Sequence, residues 1–230
     1  PLTVAFGTEK GLAAPALPDH SPRMARVDDG PVYELRIYAA AEDRLGHLVK
    51  RFREHTDRLF RKHKMESIGY WLPTDGTAKE KRRFVYILKH PSRYAAYKNW
   101  NAFTHDPEWK RGVLEQPEFQ RLLSERPTSI FMTANDYSAK APALSTKVGG
   151  VYELRTYTAA ENKLAMLNTR FANHTTRIFT KHGMSNVGYW TPYDRPESEN
   201  TLIYLIQHES REKADKNWRA FSQDPDWQKV

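Results

Sequence analysis

The chain repeats itself. Residues 32–38 read VYELRIY and residues 151–157 read VYELRTY, an offset of 119. RFREHTDRLFRKHKM (51–65) lies over RFANHTTRIFTKHGM (170–184), and IGYWLP (68–73) over VGYWTP (187–192). After a one-residue slip, HPSRYAAYKNWNAFTHDPEW (90–109) meets HESREKADKNWRAFSQDPDW (208–227). Nearly half of roughly 80 aligned positions are identical, which marks a duplication. All six Trp fall inside it, as the pairs Trp71/Trp190, Trp100/Trp218 and Trp109/Trp227. The period far exceeds solenoid spacings, so each copy reads as a domain in its own right.

Three segments lie outside the match. Residues 1–31, punctuated by Pro1, Pro15, Pro18, Pro22 and Pro31, read as an N-terminal arm, and residues 138–150 (SAKAPALSTKVGG) as a linker. The first domain is then 32–137 and the second 151–230, the second lacking the counterpart of a last helix and strand. LTVAF (2–6) alternates like a half-buried strand and is expected to pair at the vacant edge, because a bare edge invites aggregation. With no initiator Met the native start is expected to have been removed, which leaves cytoplasm and export both open.

Each copy gives the element order βαββαβ. Residues 32–38 alternate, with Tyr33, Leu35 and Ile37 on one face and Glu34, Arg36 and Tyr38 on the other. Leu45, Leu48, Val49, Phe52, Leu59 and Phe60 fall at the three-and-four spacing of a helix over Glu42–His63. SIGYWL (67–72) and RFVYILK (83–89) read as strands around a charged turn, 74–82. Ser92 caps a helix running to Phe103, and Asp106-Pro107 starts another. A short helix over 117–124 and a strand over 128–134 close the copy. The expected fold is α+β: tandem ferredoxin-like βαββαβ plaits, each with one sheet face under its helices, forming an intramolecular dimeric α/β-barrel.

Composition narrows the chemistry. The 230 residues contain no Cys, which excludes disulfides, thiolate metal sites and thiol nucleophiles. Mean hydropathy is −0.77 and no apolar run approaches the roughly 20 residues of a membrane helix, so a soluble protein is expected. The net charge of +8 reads as a solvated surface. KEKRR (79–83) sits in a turn, the basic run Arg58–Lys64 is not reproduced in the second copy, and nucleic acid is not an expected partner.

The YELR-Y strand, the helix ending KH-M, the GYW that follows and the NW-AF–DP-W block together resemble the NIPSNAP family in its bacterial form, across both copies. The resemblance implies a dimeric α/β-barrel, a fold shared with small monooxygenases, muconolactone-isomerase-like proteins and haem-degrading enzymes. It also implies association of the eukaryotic members with mitochondria and with protein interactions in trafficking and organelle quality control. It implies no catalytic residues.

Candidate site residues therefore come from side-chain chemistry. His55 and His63 recur as His174 and His182. They stand eight apart on one helix, about 12 Å along its axis, too far to share a metal ion, and no metal site is expected. His55 or His174 could serve singly as general acid or base in a helix–sheet pocket; the alternatives are a hydrogen-bonded core His55 and a His63 that suits the helix dipole. Glu34, Arg36 and Tyr38, with Glu153, Arg155 and Tyr157, would meet inside the barrel as an anion- or carbonyl-binding pocket if their face lines it, or else form self-satisfied cross-strand pairs. Tyr70, Trp71, Tyr86, Trp100 and Trp109 read as core, with Tyr86, Trp100 and the second-copy Trp218 as pocket-lining members. No cofactor is expected, haem being the one flat ligand this aromatic set leaves open. The preferred reading is a binding or interaction module; the rival is a cofactor-poor monooxygenase- or isomerase-like enzyme. A small molecule, a protein or a further copy of the chain are the partners left open.

Overall fold

The computed structural model describes residues 2–5, 30–140 and 150–230. Most of the expected arm and linker lies outside the described residues. The chain divides into two compact units, Lys10–Phe131 and Met132–Val230 with Pro1–Glu9.

In the first unit, β2 (Val32–Ala39) is followed by helix α1, then β3 (Glu66–Trp71), β4 (Arg83–His90) and α2 (Arg93–Thr104). Helix α1 runs Leu45–Arg51, Phe52–Thr56 and Asp57–Lys62, the middle segment being a π turn. A π turn frees a carbonyl, and Thr56 Oγ1 donates to Arg51 O at 3.2 Å in compensation. β4 pairs antiparallel with both β2 and β3, and β5 (Thr128–Ala134) lies beside β2. Ser92 caps α2, accepting from Ala95 N at 3.0 Å, and Asp106 caps the next turn, accepting from Glu108 N at 2.7 Å.

Two local expectations are corrected. The charged turn contains a helical turn, Ala78–Lys81, made by a capping box between Thr77 and Glu80. The helix expected over 117–124 is a single turn, Pro117–Phe119. Arg121 takes a left-handed φ of 51°, which ends helical continuation. The chain then pairs with the end of β2: Ala41 N donates to Leu122 O and Ser124 N to Ala39 O, both at 2.9 Å.

The second unit repeats the plan with β6 (Val151–Thr158), α3 (Leu164–Arg170, Phe171–Thr175 and Thr176–Lys181), β7 (Ser185–Pro192), β8 (Thr201–His208) and α4 (Arg211–Ser222). The π turn recurs at Phe171–Thr175, with Thr175 Oγ1 donating to Arg170 O at 3.3 Å. β8 pairs with β6 and β7, and the end of β5, Met132–Ala134, pairs with β7. Beside β6, where the first unit has β5 beside β2, stands β1 (Leu2–Ala5), paired in parallel with Tyr152–Arg155. The expected N-terminal strand thus takes that edge.

Each unit has an aromatic core between sheet and helices. In the first, Phe52 at the start of the π turn meets Phe84 at 4.5 Å and Tyr86 at 5.1 Å between ring centroids. In the second, Phe171 meets Tyr204 at 5.2 Å. Tyr38, Phe84, Tyr86 and Leu88 belong to the helix-side core of the first unit, so the face carrying Glu34, Arg36 and Tyr38 is the covered one. Leu35, Val85 and Ile87, on the opposite face, are buried as well.

Candidate functional site

Register brings the first cluster together. Glu34, Arg36 and Tyr38 stand opposite Leu88, Tyr86 and Phe84, and His90 lies opposite Val32, one diagonal step from Glu34. Capped at Ser92, α2 carries Trp100 onto the same face. Glu34 Oε2 accepts from Trp100 Nε1 at 2.6 Å and meets His90 Nε2 at 3.1 Å. Its Oε1 accepts from Arg36 Nη1 at 2.9 Å and Ser129 Oγ at 2.6 Å. Burial alone would raise this carboxyl's pKa, but His90, Arg36 and Ser129 outweigh it and hold it at about 2.

Arg36 lies 4.8 Å from the Trp100 ring centre and donates through Nη2 to Tyr38 Oη at 3.3 Å. Tyr86 Oη donates to Tyr38 Oη at 3.0 Å. Burial pushes both phenols up. For Tyr38 the guanidiniums of Arg36 and Arg51 more than reverse this, whereas Tyr86 stays high beside Tyr38.

The second cluster copies the first with fewer contacts. Glu153 Oε1 accepts from Trp218 Nε1 at 2.7 Å, and Oε2 accepts from Arg155 Nη1 at 3.0 Å. His208 Nε2 stands 3.2 Å from Glu153 Oε1, and its Nδ1 meets Asn217 Nδ2 at 3.3 Å. Arg155 lies 4.5 Å from the Trp218 ring centre and reaches Tyr157 Oη at 3.4 Å. Again burial would raise the carboxyl, and His208, Trp218 and Arg155 hold it below the usual range. No counterpart of Ser129 reaches Glu153 among the described residues.

The structure therefore gathers Glu34, Arg36, Tyr38, Tyr86 and Trp100 into one cluster, and Glu153, Arg155, Tyr157 and Trp218 into another, each complete within its own unit. Of the two alternatives for this face, it is the self-satisfied ionic pair that the geometry presents: the face packs under the helices, where each charge is neutralised on the spot and can be buried. Tyr86 and Trp100 offer no slot for haem. Tyr86 is fully buried among Phe52, Phe60 and Tyr70, and the Trp100 ring is covered by Arg36.

The helix histidines stand apart from these clusters. His55 is half-buried, its ring edge 5.6 Å from Phe119, and His174 is exposed. His63 Nε2 meets Asp106 Oδ2 at 2.6 Å, with Lys62 Nζ 2.9 Å from the same oxygen; His182 and Lys181 hold Asp224 likewise at 2.5 and 2.7 Å. Lys62 and the Glu108 amide pull the Asp106 carboxyl well below its ordinary range, with His63 adding to them. The side chains sequence reasoning passed over are His90, His208 and Ser129. The two histidines carried a signal, since each opens the repeated H-x-S-R block.

The second unit also has a groove of about 1350 Å³ beside α3 and the end of β6, lined among others by Tyr157, Ala160, Lys163, Met166, Arg170 and His174. Among the described residues no group of His, Cys, Asp and Glu could hold a metal ion, and no helix is long and apolar enough to cross a membrane.

The NIPSNAP family model matches residues 33–138 and again 152–230, that is, both copies. The chain belongs to the NIPSNAP family. A NIPSNAP-like domain protein from Burkholderia xenovorans shares 19% identity, aligned over 51% of this chain and 96% of its own, with a TM-score of 0.42. Longer matches come from a candidate monooxygenase of Lactobacillus acidophilus, at 12% identity over 87% of this chain and 85% of its own with a TM-score of 0.54. A chlorite dismutase variant from Candidatus Nitrospira defluvii matches at 11% identity over 86% and 84%, with a TM-score of 0.50. These two likenesses show the fold alone: this NIPSNAP chain has the α+β fold class of dimeric α/β-barrel proteins, carried as two repeats. No curated protein matches it.

Proposed function

We propose that this NIPSNAP protein is a binding or interaction module, organised as an arm (1–31), two domains (32–137 and 151–230) and a linker (138–150). The observation that carries this reading is the saturation of Glu34. Both carboxylate oxygens are occupied by four neighbours, so the group best placed for proton transfer is tied into holding β2, β4, β5 and α2 together. One observation favours the rival, a monooxygenase- or isomerase-like enzyme: His174 lines the groove with Tyr157 and Arg170, so any such chemistry would centre there. The monooxygenase description of a structural neighbour adds only the fold at 12% identity.

The test is a thermal-shift screen of the chain, with His55→Ala, His174→Ala and Met166→Glu variants, against haem and small aromatic ligands. The binding reading expects any shift to vanish in Met166→Glu, to survive both histidine substitutions and to come without product formation. A ligand that is turned over, with turnover lost in His174→Ala or His55→Ala, would establish the enzyme instead.

A further inference from the structure

Helix α2 turns two large aromatic side chains outward. Its inner side seats Ala96 and Phe103 in the core, with Trp100 partly covered beside them. Tyr94, Tyr97, Lys98 and Asn101, at the three-and-four spacing of a single stripe, form the outer side. Tyr94 is 46% and Tyr97 50% exposed, and Lys98 Nζ stands 5.6 Å from the Tyr94 ring centre. Among the described residues neither phenol has a hydrogen-bond partner. The helix, RYAAYKNWNAFT, contains no carboxylate, so nothing on it answers Lys98.

The second repeat keeps the inner side of this helix and rewrites the outer one. Ala214, Trp218 and Phe221 in α4 repeat Ala96, Trp100 and Phe103. Tyr94 becomes Glu212, Tyr97 becomes Asp215 and Asn101 becomes Arg219, while Lys98 stays as Lys216; all four second-repeat side chains are exposed. Among the described residues none of the four has an ion-pair partner. The same inner residues serve packing in both helices, so folding does not require the outer difference.

The two outer sides complement each other. A tyrosine ring offers its face to a guanidinium or ammonium and its hydroxyl to a carboxylate, and α4 displays both kinds of group. Two α2 sides facing one another would set Lys98 against Lys98, and two α4 sides would leave both tyrosines in water. We propose that α2 of one molecule docks on α4 of a second copy of this chain. Tyr94 and Tyr97 lie over Arg219 and Lys216, and Lys98 pairs with Glu212 and Asp215, the anions that α2 lacks. Tyrosine and arginine are the side chains that dominate such interfaces, whereas a lone surface ion pair adds little. The proposal goes beyond the binding-module reading and does not depend on it.

The test is sedimentation equilibrium of the full chain over roughly 1–200 μM. The weight-average mass should rise with concentration above the 26.8 kDa of one chain. Tyr94→Ala with Tyr97→Ala, and separately Glu212→Ala with Asp215→Ala and Arg219→Ala, should each weaken association at least tenfold. An equimolar mixture of these two variants, one with an intact α4 and the other with an intact α2, should associate again but stop at pairs. All five replaced side chains are exposed, so both variants should keep the parent's circular dichroism and melting temperature. If either loses them, a charge exchange decides: Lys98→Glu should weaken association at least tenfold, and Asp215→Lys added to the same chain should restore it. A single-chain mass at every concentration would overturn the proposal and leave the tyrosine face to some other molecule. Association that survives either face variant, a mixture that stays monomeric, or a charge exchange without rescue would overturn it too.

Discussion

The two repeats carry the same hub and finish it differently. Around Glu34 four donors converge and Arg36 is 18% exposed; around Glu153 no serine donor stands among the described residues and Arg155 is 25% exposed. Beside α1 the chain packs its own Val113, Phe119 and Leu122, while beside α3 the same flank opens into a groove. Duplicated sequence preserved what must be neutralised internally, namely a buried carboxylate with its histidine, arginine and tryptophan. The lesson is that the buried ionic cluster belongs to the fold, while the flank of the first long helix is where the described residues of the two repeats differ.

The largest effect that could break this comparison comes from the hubs. Glu34→Ala leaves Arg36 and His90 buried without their anion and is expected to cost ~3–5 kcal/mol, as removal of one partner of a buried pair does. Glu153→Ala, with a more exposed arginine, is expected to cost less; urea unfolding midpoints of the two variants measure the gap. Equal losses would mean that Ser129 and the deeper burial of Arg36 add nothing.

Next in size is the packing beside α1. Phe119→Ala opens a cavity against His55 and Leu48 and should cost ~3 kcal/mol by the large-to-small rule. Met166→Ala at the exposed position that corresponds to His47 should stay within about 0.5 kcal/mol. A large loss from Met166→Ala would show that the groove is already covered.

Acid should find the hubs at low pH. Glu34 titrates at about 2 when folded and near 4.3 when unfolded. Its contribution is therefore fully present above the unfolded value and lost as pH falls through the folded one. Stability measured between pH 5 and 2 should decline, with a shallower decline in Glu34→Gln than in the parent chain. Identical slopes would remove the hub from the account of acid sensitivity.

The smallest effect concerns the end of the first long helix in each unit. Gly183 takes a φ of +74° after α3, and Lys64 takes +58° at the matching position after α1. Glycine adopts that conformation without strain, so Lys64→Gly should raise stability by ~0.5–1 kcal/mol, and Gly183→Lys should lower it by as much. Thermal unfolding of the pair reads both signs.

Much of this was legible in the chain itself. Repeat identity gave the two units, the three-and-four spacing gave one helix from Leu45 to Lys62 straight through its π turn, and Ser92 and Asp106 announced their caps. The side of the sheet on which Glu34 lies was not legible. A two-residue period says which residues share a face, and where both faces are buried it does not say which one the helices cover. His90 and Ser129 stand 56 and 95 residues from Glu34, and only strand register brings them to it. The helix expected over 117–124 failed because backbone pairing to Ala39–Ala41 outcompeted propensity once Arg121 turned left-handed.

Hydrogen–deuterium exchange resolved to single amides in the intact chain tests the central contrast most directly. Amides of Leu164–Arg170 should exchange at least tenfold faster than those of Leu45–Arg51. Equal protection of the two segments in the free chain would contradict a sealed first repeat and an open second one.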